Sequence, residues 1–314
     1  MRYLVTGGAG FIGSTIVDEL LRRGHQITVL DDFSSGNEVN LSAAAGKIRL
    51  VRGSICDLDT AREACKDANY VLHLAARTSV PRSVADPLET NRVNIDGTLN
   101  VLVAARDAGV RRIVFAASSS AYGESPSLPK VETMPAVPIS PYGVSKLTGE
   151  IYLNVFGRNY GLENVSLRYF NVFGPRQDPG SQYSGVLSRF ISAVLDGAQP
   201  VVFGDGEQSR DFTFVENAVD ATLRAAEAPS VSGAVINVGT GSRFTLNHTL
   251  ALLEKISAKP VRARYDAART GDIRDSQADI TLARNLLGYQ PRVAFEEGLR
   301  RTFDWYKRQL TVHS

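Results

Sequence analysis

At 314 residues, with 35 Lys and Arg against 33 Asp and Glu and a formal charge of +2, the chain can bury a full core in one large domain or two modest ones. Charges of both signs are spread along it, so it carries no electrostatic footprint for nucleic acid or an acidic membrane. Cys56 and Cys65 are too few for a disulfide framework or a thiolate zinc site, and neither a leader-type segment nor a stretch of about 20 apolar residues occurs; the expectation is a soluble, reduced, cytoplasmic protein.

Tyr3-Leu4-Val5-Thr6 reads as a short strand running into Gly7-Gly8-Ala9-Gly10. Residues 11–23 then carry Ile12, Ile16, Val17, Leu20 and Leu21 at helical spacing, closed by Gly24. Residues 26–30 are strand-like and stop at Asp31-Asp32. The alternation continues with a strand at 48–51, a helix at 60–66, a strand at 70–74, a long helical pattern at 91–108 and a strand at 112–116. Strands separated by helices predict βαβ units, an α/β fold with a Rossmann-type, doubly wound parallel sheet. The second half is less regular. Pro175, Pro179 and Gly180 punctuate a loop after a strand at 165–169, and Gly204-Asp205-Gly206 reads as a hairpin turn between 201–203 and 211–214. A strand at 235–238 is expected to return to the main sheet, with helices at 246–257, 279–287 and 295–309. The predicted division is a dinucleotide-binding domain of residues 1–170, to which segments near 212–240 return, and a smaller C-terminal α/β lobe, 171–314, that mainly binds substrate.

Gly7-x-x-Gly10-x-x-Gly13 sits between the first strand and the first helix, the context in which this spacing holds a dinucleotide. Glycines let the backbone turn tightly and let a pyrophosphate approach the helix N-terminus, where Phe11 and Ile12 supply N–H groups. Asp31, 18 residues after Gly13, is placed to accept hydrogen bonds from an adenosine ribose diol; its charge repels a 2′-phosphate, so NAD is expected rather than NADP. Asp57-Leu58, Leu74-Ala75-Ala76-Arg77 and the serine run after Phe115 fall at carboxyl ends of predicted strands, where such sheets bind ligands. His73, inside an apolar strand, reads as a core histidine with its hydrogen bonds satisfied.

Pro141-Tyr142-Gly143-Val144-Ser145-Lys146 opens a helix, and Tyr142 and Lys146, at i and i+4, share one face. An ammonium beside a phenol is expected to stabilise the phenolate and lower its pKa, giving a base for an alcohol proton. Ser118-Ser119-Ser120, at the end of a preceding strand, offers a hydroxyl for the same oxygen.

The glycine motif, the strand-end serine and Tyr142-x-x-x-Lys146 together resemble the extended short-chain dehydrogenase/reductases, and within them nucleotide-sugar 4-epimerases of the UDP-glucose/UDP-N-acetylglucosamine type. The likeness extends over Ser79-Val80-Pro81-Arg82-Ser83, Val93-Asn94-x-x-Gly97-Thr98, 167–175, Gly204-Asp205-Gly206-x-x-x-Arg210-Asp211-Phe212, Gly271-Asp272 and 286–291. It implies bound NAD, no metal, and inversion at C4 of a UDP-sugar through a transient 4-keto sugar. Tyr142 would take the proton of the 4-hydroxyl, Ser118 would hydrogen-bond the same oxygen, and Lys146 would hold the nicotinamide ribose. The resemblance adds Asp32, Ser34, Gly36, Asn94 and Phe170 to the cofactor residues. It assigns Ser79, Ser118, Ser119, Tyr142, Asn171, Val186, Phe203, Arg210, Arg269, Asp272 and Ser276 to the substrate, the two arginines to its diphosphate.

Related 4,6-dehydratases and decarboxylases carry a carboxylate in the segment that reads Ser118-Ser119-Ser120-Ala121-Tyr122 here, so elimination and decarboxylation are disfavoured. Ser276, four residues past Asp272, stands where a bulky aromatic in relatives excludes a 2-acetamido group, so the pocket is expected to admit N-acetylated sugars. Two other readings stay open: a UDP-glucuronate 4-epimerase, and an NAD-sensing regulator without turnover. The resemblance also implies a homodimer formed through the helices at 91–108 and 142–160.

Overall fold

Every residue of the strand Tyr70–His73, and all but the first of Arg2–Thr6, is buried, which is why these strands read as continuous apolar runs: a parallel sheet is covered on both faces. The computed structural model describes residues 1–178, 185–268 and 273–313. In chain order its first part comprises β1 (Arg2–Thr6), α1 (Phe11–Arg22), β2 (Gln26–Asp31), β3 (Arg49–Arg52), α2 (Leu58–Cys65), β4 (Tyr70–His73), α3 (Val80–Ala85), α4 (Pro87–Asn91), α5 (Gly97–Asp107), β5 (Arg112–Ser118), α6 (Pro141–Tyr160) and β6 (Glu163–Tyr169). There follow β7 (Val172–Phe173), α7 (Val186–Leu195), β8 (Val201–Phe203), β9 (Ser209–Arg210), β10 (Thr213–Phe214), α8 (Val215–Glu227), β11 (Ala234–Val238), β12 (Phe244–Thr245), α9 (Leu246–Ser257), β13 (Arg264–Asp266), α10 (Thr281–Leu287) and α11 (Phe295–His313).

The main sheet is seven-stranded, in the order β3-β2-β1-β4-β5-β6-β11, with every pairing parallel. Strand order reverses between β1 and β4, so the loops after them diverge and open a crevice at the carboxyl edge. Period-two alternation sends neighbouring side chains to opposite layers. Tyr3 and Val5 pack with Ile16, Val17 and Leu20 of α1 and Ala218 and Val219 of α8, while Leu4 and Val71 pack with Ala61 of α2, Leu102 of α5 and Leu153 of α6. The segment 213–238 thus returns to the sheet as α8 and β11, while α11 packs on α7 and α9.

Two expectations are corrected. Residues 201–203 and 211–214 do not form a hairpin: β8 pairs in parallel with β13, β9 pairs antiparallel with β12, and β10 pairs in parallel with β7. Gly204 and Gly206 do turn the chain, with φ of +93° and +78°, but a turn signal does not fix a partner, and distant strands take each edge. The helical pattern over 91–108 is also not one α-helix. A π-helical turn, Arg92–Asp96, separates α4 from α5 and carries the buried Asn94. Such turns insert one residue into a helix and often accompany functional side chains.

Candidate active site

Gly7, Gly10 and Gly13 form a cradle in which side chains have no room. Gly7 has φ +69°, and a Cβ on it would lie 2.8 Å from the Ala75 backbone nitrogen. A Cβ on Gly13 would lie 2.1 Å from the Gly7 carbonyl oxygen, and one on Gly10 3.2 Å from the same atom. Leu74 and Ala75 are drawn to this loop because both N–H groups donate to Thr6 Oγ1 at 3.2 Å; Ala76 follows directly. Gly10 is the N-cap of α1 and no side chain caps the helix, so Phe11 and Ile12 present its positive end to the crevice.

Asp31, at the end of β2, is 7 % exposed and accepts N–H groups from Ala9 and Phe33, both at 2.8 Å. Burial pushes its carboxyl pKa up while these two hydrogen bonds pull it down. Gly36 comes within 2.8 Å of Asp31 Oδ1 by its notional Cβ, so 31–36 folds back over the cradle; the exposed Asp32 accepts the Ser34 N–H at 2.9 Å. Asp57 caps α2 by accepting the Thr60 N–H at 2.7 Å, with Leu58 the first helical residue. His73 is wholly buried between Thr6 Oγ1 at 2.7 Å and Thr98 Oγ1 at 3.0 Å, and burial pushes its pKa down to about 3.

Ser118 ends β5, and among the three serines its side chain is the one that acts on the Tyr142 phenol, pulling its pKa down. Its hydroxyl also accepts from the Ser120 N–H at 3.2 Å and from Ser120 Oγ at 2.9 Å. Of the three serines, Ser118 thus meets the tyrosine; Ser119 begins the short turn that follows. Lys146, one turn beyond Tyr142, is 3 % exposed, donates to the Ala116 carbonyl at 2.8 Å, and holds Nζ 5.9 Å from the centroid of the Tyr142 ring. The expected lowering of the phenol pKa is corrected: burial raises it, and the Ser118 hydrogen bond only partly opposes this. Burial also pushes Lys146 down to about 7, against the pull of Glu150. Desolvation is the largest influence on both groups, penalising the charged form of each.

Asn94 is locked from three sides. Its Oδ1 accepts the Arg77 N–H at 2.7 Å, and its Nδ2 donates to the Arg77 carbonyl at 3.0 Å and to Ser145 Oγ at 2.9 Å. The turn after β4 and the first turn of α6 are therefore held to each other. Ser79 caps α3 through the Arg82 N–H at 3.2 Å.

Tyr169 pairs with Ser118 across β5 and β6, so Phe170 and Asn171 leave the sheet beside the serine. Phe170 is wholly buried with its N–H given to the Val238 carbonyl at 2.9 Å; its side chain belongs to the core. Asn171, at φ +35°, lines a cleft of about 200 Å³ with Val186, Phe203 and Arg210. Arg210 donates to the carbonyls of Ser209 at 2.9 Å and Arg274 at 2.8 Å. Ser276 is 9 % exposed and bonded through its backbone to Ser209 and Asp211, on either side of Arg210. Arg269 and Asp272 lie outside the described residues, as do Pro179 and Gly180 of the predicted loop.

Several residues at the site escaped the sequence reading. Arg189, Gln208 and Leu246 also line the cleft; Arg189 follows Val186 by one helical turn, a signal visible once α7 is placed. Asp211, fully buried, accepts from the N–H groups of Thr240, Gly241 and Ala278 and from the Thr240 hydroxyl, tying the stretches 239–241 and 276–278 to the cleft. Among the described residues no cluster of His, Cys, Asp and Glu able to hold a metal ion is present, and no helix is long and apolar enough to cross a membrane.

Comparison with known proteins gives a consistent result. The model of the NAD dependent epimerase/dehydratase family matches residues 3–239. A UDP-glucose 4-epimerase of Mycolicibacterium smegmatis is 42% identical over 313 residues, covering 98% of this chain and 99% of that protein. Among solved structures, a UDP-N-acetylglucosamine 4-epimerase from Methanobrevibacter ruminantium in complex with UDP-N-acetylmuramic acid superposes with a TM-score of 0.94 at 41% identity, covering 98% of each chain. A UDP-glucose 4-epimerase of Thermus thermophilus in complex with NAD gives 0.90 at 38% identity, covering 98% of this chain and 99% of that one.

Proposed function

Because the chain belongs to the NAD dependent epimerase/dehydratase family, we propose that it is an NAD-dependent UDP-sugar 4-epimerase, interconverting UDP-glucose with UDP-galactose and UDP-N-acetylglucosamine with UDP-N-acetylgalactosamine. The observation that carries this is Lys146 with its Nζ 5.9 Å from the Tyr142 ring, one helical turn away on α6, and Ser118 at the end of β5 acting on the same phenol, at the same sheet edge as a glycine cradle without room for a side chain. The cradle fits a dinucleotide: Gly7, Gly10 and Gly13 admit a pyrophosphate, Phe11 and Ile12 face it with N–H groups, and Asp31 suits a ribose diol. Bound there, NAD would supply the redox chemistry at C4 of the sugar, as a hydride acceptor and donor.

The protein's own groups do the rest. Tyr142 takes the proton of the 4-hydroxyl and gives one back, and Ser118 orients that oxygen. Lys146, when charged, favours the phenolate form in which Tyr142 can accept the proton. The cleft of Asn171, Val186, Phe203 and Arg210 anchors the nucleoside diphosphate, with Arg210 on its phosphates, which leaves the sugar free to present either face. Residues 1–170 with 212–240 act as the dinucleotide domain and 171–314 mainly as the substrate lobe. Ser276, small and beside Arg210, leaves space for a 2-acetamido group.

Val144, Ile151 and Val155 are exposed along one face of α6, beside a groove of about 490 Å³ lined by Pro87, Ile95, Ile139 and Val144. This supports a homodimer through α6 and the helical segment that contains Ile95; the cytoplasm is the compartment we propose for it. The functional test is proton NMR of the anomeric region after adding each of the four UDP-sugars to purified protein without added NAD. Interconversion within either pair supports the assignment; no change in any of the four overturns it.

A further inference from the structure

The first turn of α6 leaves N–H groups with no partner inside the helix. Pro141 has none to satisfy, and Gly143 donates to Ser140 Oγ, the local cap, at 3.1 Å. The Tyr142 N–H has no local acceptor. It donates instead to Ser83 Oγ at 3.1 Å, across 59 residues of sequence. Ser83 is wholly buried on α3, and its own proton goes to the Val80 carbonyl at 2.7 Å, so its lone pair is fixed toward the tyrosine. The other side of the residue is held too: the Tyr142 carbonyl accepts from Ser145 Oγ at 2.8 Å, and that hydroxyl is held by Asn94.

We infer that Ser83 is a positioning residue for the reaction: its hydroxyl fixes the backbone of Tyr142, and hence the reach of the phenol to Ser118 and the sugar oxygen. Ser83 is wholly buried, with its hydroxyl engaged by Val80 and Tyr142, so its part in the reaction is exerted through the tyrosine. Ser79, at the other end of the same short helix, caps α3 through Arg82, and the Ser83 N–H donates to the Ser79 carbonyl at 3.0 Å. Any displacement of the 79–83 strut is passed to the catalytic tyrosine through one hydrogen bond. The inference rests on the epimerase reading of the site.

Ser83→Ala removes the acceptor at nearly constant volume. The expected result is a kcat for UDP-sugar interconversion lower by about 10- to 100-fold, the scale of a small misplacement of a reacting group, with KM changed less than about twofold. The acid limb of the kcat profile moves to higher pH as the phenol draws away from Ser118, whose side chain holds its pKa down. Amide hydrogen exchange across 141–145 speeds up, bound NAD and melting temperature stay at wild-type values, and Ser83→Thr restores most of kcat. If Ser83→Ala does not fold, the near-isosteric Ser83→Cys, a weak acceptor, is held to the same readings. A wild-type kcat in the acceptor-less variant overturns the inference. So does a loss of kcat in proportion to NAD content and melting temperature, without rescue by threonine. Wild-type protein that turns over no UDP-sugar overturns the epimerase reading itself, and the inference falls with it.

Discussion

A methyl group added at Gly13 should separate cofactor binding from folding. Its Cβ would stand 2.1 Å from the Gly7 carbonyl oxygen and 2.9 Å from both the Gly7 carbonyl carbon and the Gly8 Cα, all backbone atoms. To reach the 3.4 Å of an ordinary contact the 7–8 peptide must move by about 1.3 Å. That peptide has little slack: the Gly7 N–H donates to the Leu30 carbonyl at 2.8 Å, the Gly7 carbonyl accepts from Gly10 at 3.1 Å, and Gly7 abuts Ala75. Breaking the Gly7–Gly10 bond costs about 1 kcal/mol, and forced overpacking about 1–3 kcal/mol, so Gly13→Ala should lower the melting temperature by several degrees. The same shift moves the cradle under the pyrophosphate, so NAD content should fall much further than stability. Gly24→Ala, at the other end of α1, is the control. Gly24 has φ +75° and nothing within 4 Å of a notional Cβ, so alanine there strains the backbone without touching the site. Calorimetry and NAD released by acid, measured on both variants, decide. A Gly13→Ala protein that keeps stoichiometric NAD, or two variants that lose NAD alike, refutes the cradle.

Tyr142→Phe should keep NAD and lower kcat by about 10²–10⁴, the usual worth of a positioned acid–base group; turnover within tenfold of wild type would remove Tyr142 from proton transfer. Lys146 gives a stability signature: unfolded it holds its proton to about 10.5, folded only to about 7. In that window the unfolded chain binds the extra proton, so the stability of the ligand-free protein rises with pH, and the burial penalty is full below 7. Urea midpoints at several pH values should show this rise, and Lys146→Met should flatten it; equal slopes in both proteins would contradict the burial of a charged lysine. Ser276→Tyr should stop UDP-N-acetylglucosamine turnover and spare UDP-glucose, and unchanged turnover of the acetamido sugar would end the role given to that residue.

The parallel sheet was legible because β1, β2, β4 and β5 are short, largely apolar runs, β1 closed by glycine, β2 by aspartate and β5 by serines, signals that act within a few residues. The Gly7, Gly10, Gly13 cradle was legible for the same reason. What the sequence hid is long-range. The turn at Gly204–Gly206 was read correctly as a turn and wrongly as a hairpin, since the partners of β8, β9 and β10 come from 264–266, 244–245 and 172–173. The helical period over 91–108 concealed the π turn, because one inserted residue barely disturbs an apolar stripe. Tyr142 and Lys146 could be paired from their spacing, yet the direction of the phenol shift depends on burial, which spacing does not report. Ser83 stands in a segment the family likeness covers, but its reach to Tyr142 across 59 residues shows in no local pattern.

The most direct test of the redox route follows the hydrogen at C4. UDP-glucose and UDP-N-acetylglucosamine carrying deuterium at C4 are incubated with the protein in ordinary water, and the 4-epimers are analysed by NMR and mass spectrometry. Full retention of deuterium at C4 of the product is the predicted result, since the hydride that leaves the carbon returns to it within one site. Epimerised product that has exchanged its C4 label with water would contradict the transient 4-keto route.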